Sequence, residues 1–330
     1  MRSYCSDVPS AIPTVDISPY LAHGASPSAV SRVIDSVRSA CTTYGFMYLI
    51  GHGIPDADMQ QILECTRTVS SLPYSEKMKV WIGQSMGRSF RGYEPPGAQV
   101  HHLGLLPDTK EAFTVGTEVP ADDPEAGSFS TGPNLWPTSL ADSDFREPVM
   151  EYHANMLKLV RVLLEILSLG LPRDWWCSPD ALCQLGSGRP CCPMRLLHYE
   201  PRDCLDEREF GVADHTDFGC VSVLLQEPGT EGLQVWYPPR ESWVNVPVKK
   251  GSFVVNIGET MQMLTSGFYR SATLQDTGDK FHRHSVAFFL NGDLKLNCSA
   301  LGGSGREVTI GEYIRSRIVE TMGRTAASLE

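Results

Sequence analysis

His215-Thr216-Asp217-Phe218-Gly219, followed downstream by Arg283-His284-Ser285, is the stretch on which the fold of this chain turns. Along a β-strand successive side chains point to opposite faces, so His215 and Asp217 project together while Thr216 turns away. An imidazole and a carboxylate on one face are two of the three ligands of a 2-His-1-carboxylate iron site, which keeps open positions on Fe(II) for co-substrate and O2. Without a metal, the same two side chains would form a hydrogen-bonded pair. The alternation also puts Arg283 and Ser285 on one face and His282 and His284 on the other. Arginine offers a planar fork of donors, so Arg283 reads either as a carboxylate anchor, with Ser285 beside it, or as half of a buried ion pair with a nearby acid.

Working outward, short strands separated by turns are expected at Met194 to Tyr199, Cys220 to Leu225, Leu233 to Trp236, Trp243 to Val246, Ser252 to Ile257 and Ser285 to Leu290. The first half reads differently, with a short extended segment at Ile12 to Ile17 and one buried strand at Phe46 to Ile50 among helices and loops. Ser28 is expected to open a helix with Val30, Val33, Ile34, Val37 and Cys41 on one face, and another helix should start near Asp56. A long helix from Phe145 to Leu169 carries Val149, His153, Met156, Leu157, Val160, Leu163, Leu164 and Leu167 toward the core. Residues 83–140, rich in Gly, Pro and Ser, read as mainly loop. The fold class is therefore mainly β with N-terminal α, a jelly roll buttressed by helices. Three segments are expected: 1–190 helical and loop, 191–300 jelly-roll core, and 301–330 a C-terminal helical extension.

Composition narrows the function. The chain has 330 residues, 42% hydrophobic and 20% charged, with a net charge of −11. That acidic balance and the lack of a basic run argue against nucleic acid or an anionic membrane as partner. No apolar stretch approaches the roughly 18 residues of a membrane span, so a cytoplasmic location is expected. The ten cysteines are scattered, without zinc-like spacing, and read as reduced thiols.

Taken together, these segments resemble the Fe(II)- and 2-oxoglutarate-dependent dioxygenases of the isopenicillin N synthase-like group over nearly the full length. The resemblance rests on Ile12-Pro13-Thr14-Val15-Asp16, His52-Gly53-Ile54-Pro55, Lys110-Glu111-Ala112-Phe113, Leu197-His198-Tyr199, Gly232-Leu233-Gln234-Val235, Val254-Val255-Asn256-Ile257-Gly258-Glu259 and the two opening motifs, all in family order. It implies a double-stranded β-helix, Fe(II) on His215 and Asp217, and 2-oxoglutarate on Arg283, Ser285 and Tyr199. It also implies a His-Arg pair, bringing the second histidine ligand, where this chain reads Leu274-Gln275. Leucine has no lone pair for iron, so the third ligand position is incompetent. Replacement by His282, His284, Gln275 or Asp276 is disfavoured by strand phase or by chemistry. His198 is expected to be a packed histidine, and His101-His102 to sit in a loop.

Two functions follow from the resemblance. One is a catalytically impaired helper or structural subunit of specialised metabolism, a pseudoenzyme paired in a heterodimer with an active paralogous dioxygenase that handles a small-molecule substrate. Trp175 and Trp176 are candidates for that interface, with core packing as the alternative. The other is an active hydroxylase or desaturase of a small hydrophobic metabolite, using a rearranged iron site.

Overall fold

The computed structural model describes residues 12–100, 104–175, 178–201, 206, 208–298, 301 and 308–322. Its larger sheet joins, in spatial order, β1 (Thr14–Asp16), β2 (Phe46–Ile50), β10 (Phe253–Ile257), β7 (Val221–Gln226), β12 (Arg283–Leu290), β5 (Met194–Tyr199), β4 (Glu111–Val115) and β3 (Gly92–Glu94). The smaller sheet joins β6 (Val212–Thr216), β11 (Thr273–Asp276), β8 (Leu233–Tyr237) and β9 (Ser242–Asn245). β1 pairs with β2 in parallel, and the other ladders are antiparallel. This is the jelly-roll arrangement expected from the run of short strands.

The larger sheet is covered on both faces, which is why its central strands read as nearly continuous apolar runs. Val221, Val223 and Leu225 of β7, with Val286, Phe288 and Leu290 of β12, pack into the cluster that includes the helices. Leu224 and Val254 turn the other way, toward Leu233, Val235, Val244 and Leu274 of the smaller sheet. The described helices are α1 (Ser18–Leu21), α2 (Pro27–Thr43), α3 (Asp56–Ser70), α4 (Tyr74–Met78), α5 (Arg146–Leu169), α6 (Glu259–Leu264) and α7 (Ile310–Met322), and α2, α3 and α5 form the helical cover. On α5, Val149, Met156, Val160, Leu163, Leu164 and Leu167 are buried at helical spacing, each worth about 1.5–3 kcal/mol relative to exposure. Leu157, expected inward, is only half-buried.

Three local expectations need correcting. α2 starts at Pro27 behind a Ser26 cap, not at Ser28, because proline suits the first helical position and Ser26 Oγ accepts the Ala29 N–H. The segment 1–190 contributes four strands to the larger sheet: β1 and β2 are the extended stretches expected at Ile12 to Ile17 and Phe46 to Ile50, whereas β3 and β4 fall within residues 83–140, read as mainly loop. β3 and β4 are three and five residues long, too short to leave a strong alternation signal. β11 was not anticipated either, since Thr-Leu-Gln-Asp holds one strongly apolar residue.

The outer face of β4 and β5 holds a polar cluster instead of a purely apolar one. Glu111 sits opposite His198 in the β4–β5 register. It accepts from His198 Nδ1 at 2.8 Å, Lys77 Nζ at 2.7 Å and the Tyr93 hydroxyl at 2.6 Å. Burial alone would raise the Glu111 carboxyl, but these donors outweigh it and hold the pKa at about 2, below its ordinary 4.5. The stabilisation from ionised Glu111 is therefore complete above pH 4.5 and fades as pH falls toward 2. Glu111→Gln should lower stability at neutral pH by about 1–3 kcal/mol, the cost of weakening a buried donor set. It should also flatten the loss of stability across that acid window, both effects read from urea denaturation at a series of pH values.

Candidate active site

A cavity of about 240 Å³ opens between the two sheets, and the expected site residues meet in it. His215 lies on β6 and Asp217 just past its end; Tyr199 ends β5, and Arg283 and Ser285 begin β12. Arg283 and Tyr199 are direct neighbours in the β12–β5 register.

His215 and Asp217 are oriented as a metal-binding pair. His215 Nδ1 donates to the Ala213 carbonyl at 2.8 Å, which leaves the Nε2 lone pair facing Asp217 Oδ1 at 3.8 Å. Asn256 Nδ2 donates to the other Asp217 oxygen at 2.7 Å. Outer hydrogen bonds of this kind fix the tautomer and aim of metal ligands. Asn256, on β10, is given no site role from sequence, although the Val254-Val255-Asn256-Ile257-Gly258-Glu259 stretch that carries the resemblance contains it.

Where the resemblance expects a third ligand, the chain carries a hydrocarbon. Leu274 of β11 is directly opposite His215 in the β11–β6 register and belongs to the buried apolar cluster that includes Val235, Val244 and Tyr48. A register shift then places Asp276 opposite Val212, so β6 carries one more residue than β11 between the two pairs. Neither His282 nor His284 reaches the pocket. His284 Nδ1 donates to Glu227 at 2.9 Å, and His282 Nδ1 lies 3.0 Å from Nε2 of the buried His198. Among the described residues, the group of three possible metal ligands found within reach of one another is His198, Glu200 and His282, on the outer face of β5. Gln275 is tied to Gln234. Among the described residues, those of the cavity offer Fe(II) two protein ligands and do not fit a three-ligand facial site.

Arg283 is fully buried, and its guanidinium lies 4.0 Å from the centre of the Tyr199 ring. Tyr199 thus meets Arg283 with its ring face. One Arg283 amino group is ion-paired with Asp276, whose other oxygen accepts the Gly278 N–H at 2.9 Å. The Arg283 Nε and the Ser285 hydroxyl are buried without a hydrogen-bond partner. The open alternative for Arg283, a carboxylate anchor or a buried ion pair, is resolved in part toward the ion pair. Period-two alternation places Asp276 on the same face as Leu274, but it does not name Arg283 as its partner.

Two further cations line the cavity. Lys110 is paired with Asp108, and burial lowers the Lys110 pKa. Arg195 is paired with Glu94. The opposite wall is apolar and includes Ile314 and Ile318 of α7 (Ile310–Met322), a helix pinned by Arg317 Nε to Glu259 at 3.1 Å. Trp175 packs edge-on to Phe268 at 5.4 Å, a packing role, while Trp176, His101 and His102 lie outside the described residues.

Comparison with known proteins agrees with this geometry at the level of family and fold. Residues 12–139 match the model described as non-haem dioxygenase in morphine synthesis N-terminal, and residues 190–292 match that of the 2OG-Fe(II) oxygenase superfamily. The 2-oxoglutarate-dependent dioxygenase tropC of Talaromyces stipitatus is 53% identical, covering 96% of this chain and 98% of that protein. The dioxygenase eupC of Phoma sp is also 53% identical over 96% of this chain and 95% of its own length, and citB of Monascus ruber is 37% identical over 94% and 95%. Among solved structures, a full-length Neurospora crassa protein crystallised with alpha-KG superposes with a TM-score of 0.78 at 21% identity, over 93% of this chain and 96% of that one. The rice dioxygenase for auxin oxidation gives 0.67 at 24% identity, over 93% and 95%. The cofactors such a family implies are Fe(II) and 2-oxoglutarate. On the fold, the ordered motifs and these relatives, the chain belongs to the 2OG-Fe(II) oxygenase superfamily.

Proposed function

We propose that this chain is a dioxygenase-fold protein of specialised metabolism that has lost efficient iron-dependent turnover. It serves as a helper subunit, in a heterodimer with an active paralogous 2-oxoglutarate oxygenase acting on a small molecule in the cytoplasm. The observation that carries this reading is Leu274, in register with His215 where a second histidine would complete the metal site. A buried isobutyl group supplies no lone pair, and it fills space that a water ligand would need. The likeness to fungal dioxygenases such as tropC and eupC supports the metabolic setting. Among the described residues no helix is long and apolar enough to cross a membrane.

One observation favours a second reading, an active hydroxylase or desaturase of a small hydrophobic metabolite. His215 and Asp217 keep the outer hydrogen bonds that aim metal ligands, as a two-ligand iron site would require. Metal analysis decides between the two. The purified chain is expected to hold iron well below one equivalent under anaerobic Fe(II) titration and to release no succinate from 2-oxoglutarate above background. Co-expression with an active paralogue should yield a stable complex that does. Stoichiometric iron with substrate-dependent succinate from this chain alone would overturn the helper reading.

Leu274→His should raise Fe(II) affinity by about tenfold or more, given that even outer partners of metal ligands are worth roughly 10–100-fold. The same change should cost about 1–3 kcal/mol of stability, because it places an imidazole in an apolar cluster. Fe(II) titration and urea denaturation of the variant check the two effects separately.

A further inference from the structure

We infer that Asp276 stands in, within this chain, for the distal carboxylate of 2-oxoglutarate, and that the pocket takes a neutral, largely apolar small molecule carrying an oxygen acceptor. The inference deepens the helper reading and rests on it for the identity of the pocket, but it stands on a residue other than Leu274.

Arg283 is the natural anchor for a carboxylate at this end of the cavity, and its charge is already met. Asp276 and Arg283 side chains are 4% and 2% exposed, and the Asp276 carboxylate is held twice, by Arg283 and by the Gly278 N–H. Gly211 leaves room for it, since a Cβ there would lie 2.6 Å from Asp276 Oδ1. A second carboxylate arriving at the same guanidinium would meet a like charge in a water-poor site, where such repulsion is poorly screened. Nor do the described residues of the rest of the wall supply spare positive charge. Lys110 faces Asp108 and Arg195 faces Glu94. Each of the three cations among the described lining residues therefore has a carboxylate of this chain, which weakens the attraction for a dianion.

What remains unmet is neutral. The Arg283 Nε and Ser285 hydroxyl are buried donors without partners, and a ketone, ester or hydroxyl oxygen would satisfy them without adding charge. Around them Leu197, Leu224, Leu233, Ala287 and Phe289 form an apolar lining. The volume, about 240 Å³, lies just under the roughly 300–1,000 Å³ of pockets for drug-sized ligands, which suits one small molecule.

The test compares 2-oxoglutarate with its neutral dimethyl ester, titrated calorimetrically into the full-length, metal-free chain. The ester should bind about tenfold more tightly than the dianion, and Asp276→Asn should tighten 2-oxoglutarate about tenfold while leaving the ester nearly unchanged, as expected when one of two facing like charges is removed. A wild-type chain that prefers the dianion, or that binds neither compound, overturns the inference. So does an Asp276→Asn protein that unfolds cooperatively yet gains nothing for 2-oxoglutarate. If that variant does not fold, the wild-type comparison decides alone. Tight 2-oxoglutarate binding without succinate formation would sink this inference and leave the helper reading standing, whereas succinate formation by the isolated chain would sink the helper reading.

Discussion

Burial of β12 on both faces is the constraint from which the rest of the structure follows. The strand lies between β5 and β7, with Val286, Phe288 and Leu290 against the helices and the alternate positions turned toward the smaller sheet. Once those apolar residues are committed outward to the helical layer, strand phase leaves Arg283 and Ser285 no direction but the interior of the barrel. Fully burying an arginine is tolerable only if its charge is met. Asp276 on the facing sheet and the ring of Tyr199 meet it. The same phase sends His284 and His198 outward, into the polar cluster organised by Glu227 and Glu111.

The pocket thus sets two side chains aimed as metal ligands beside a hydrocarbon and an arginine whose charge is met. His215 and Asp217 are still aimed by Ala213 and Asn256 as metal ligands are aimed. Two positions of one short strand, Leu274 and Asp276, change what that geometry can hold. The first replaces a lone pair by a hydrocarbon, and the second gives Arg283 a resident carboxylate. Both sit on β11, which contributes little to the outer core, so the fold bears these residues without disturbance elsewhere. That separation of scaffold from site is what allows one fold to carry many chemistries or none.

Much of this was legible in the sequence. The alternation around His215 and around Arg283, the helical spacing of Val149 through Leu167, and the string of short apolar runs after Cys192 were enough to name the jelly roll with its helical buttress. Those signals are local, set by side-chain direction along a strand or helix, and they survive without knowledge of neighbours. Leu274 could be placed by the order of motifs, because chain order is itself a sequence property.

What only the tertiary structure decided was pairing between distant elements. That β1 to β4 join the larger sheet, that Leu274 lies opposite His215, and that Asp276 takes Arg283 are outcomes of strand register and of the space left by Gly211. Strands of three to five residues carry too little pattern to announce their partners, and a buried arginine does not name its acid. The sequence by itself determined which face each residue presents; the folded chain decided which residues those faces meet, because charge compensation and register depend on contacts between segments far apart in the chain.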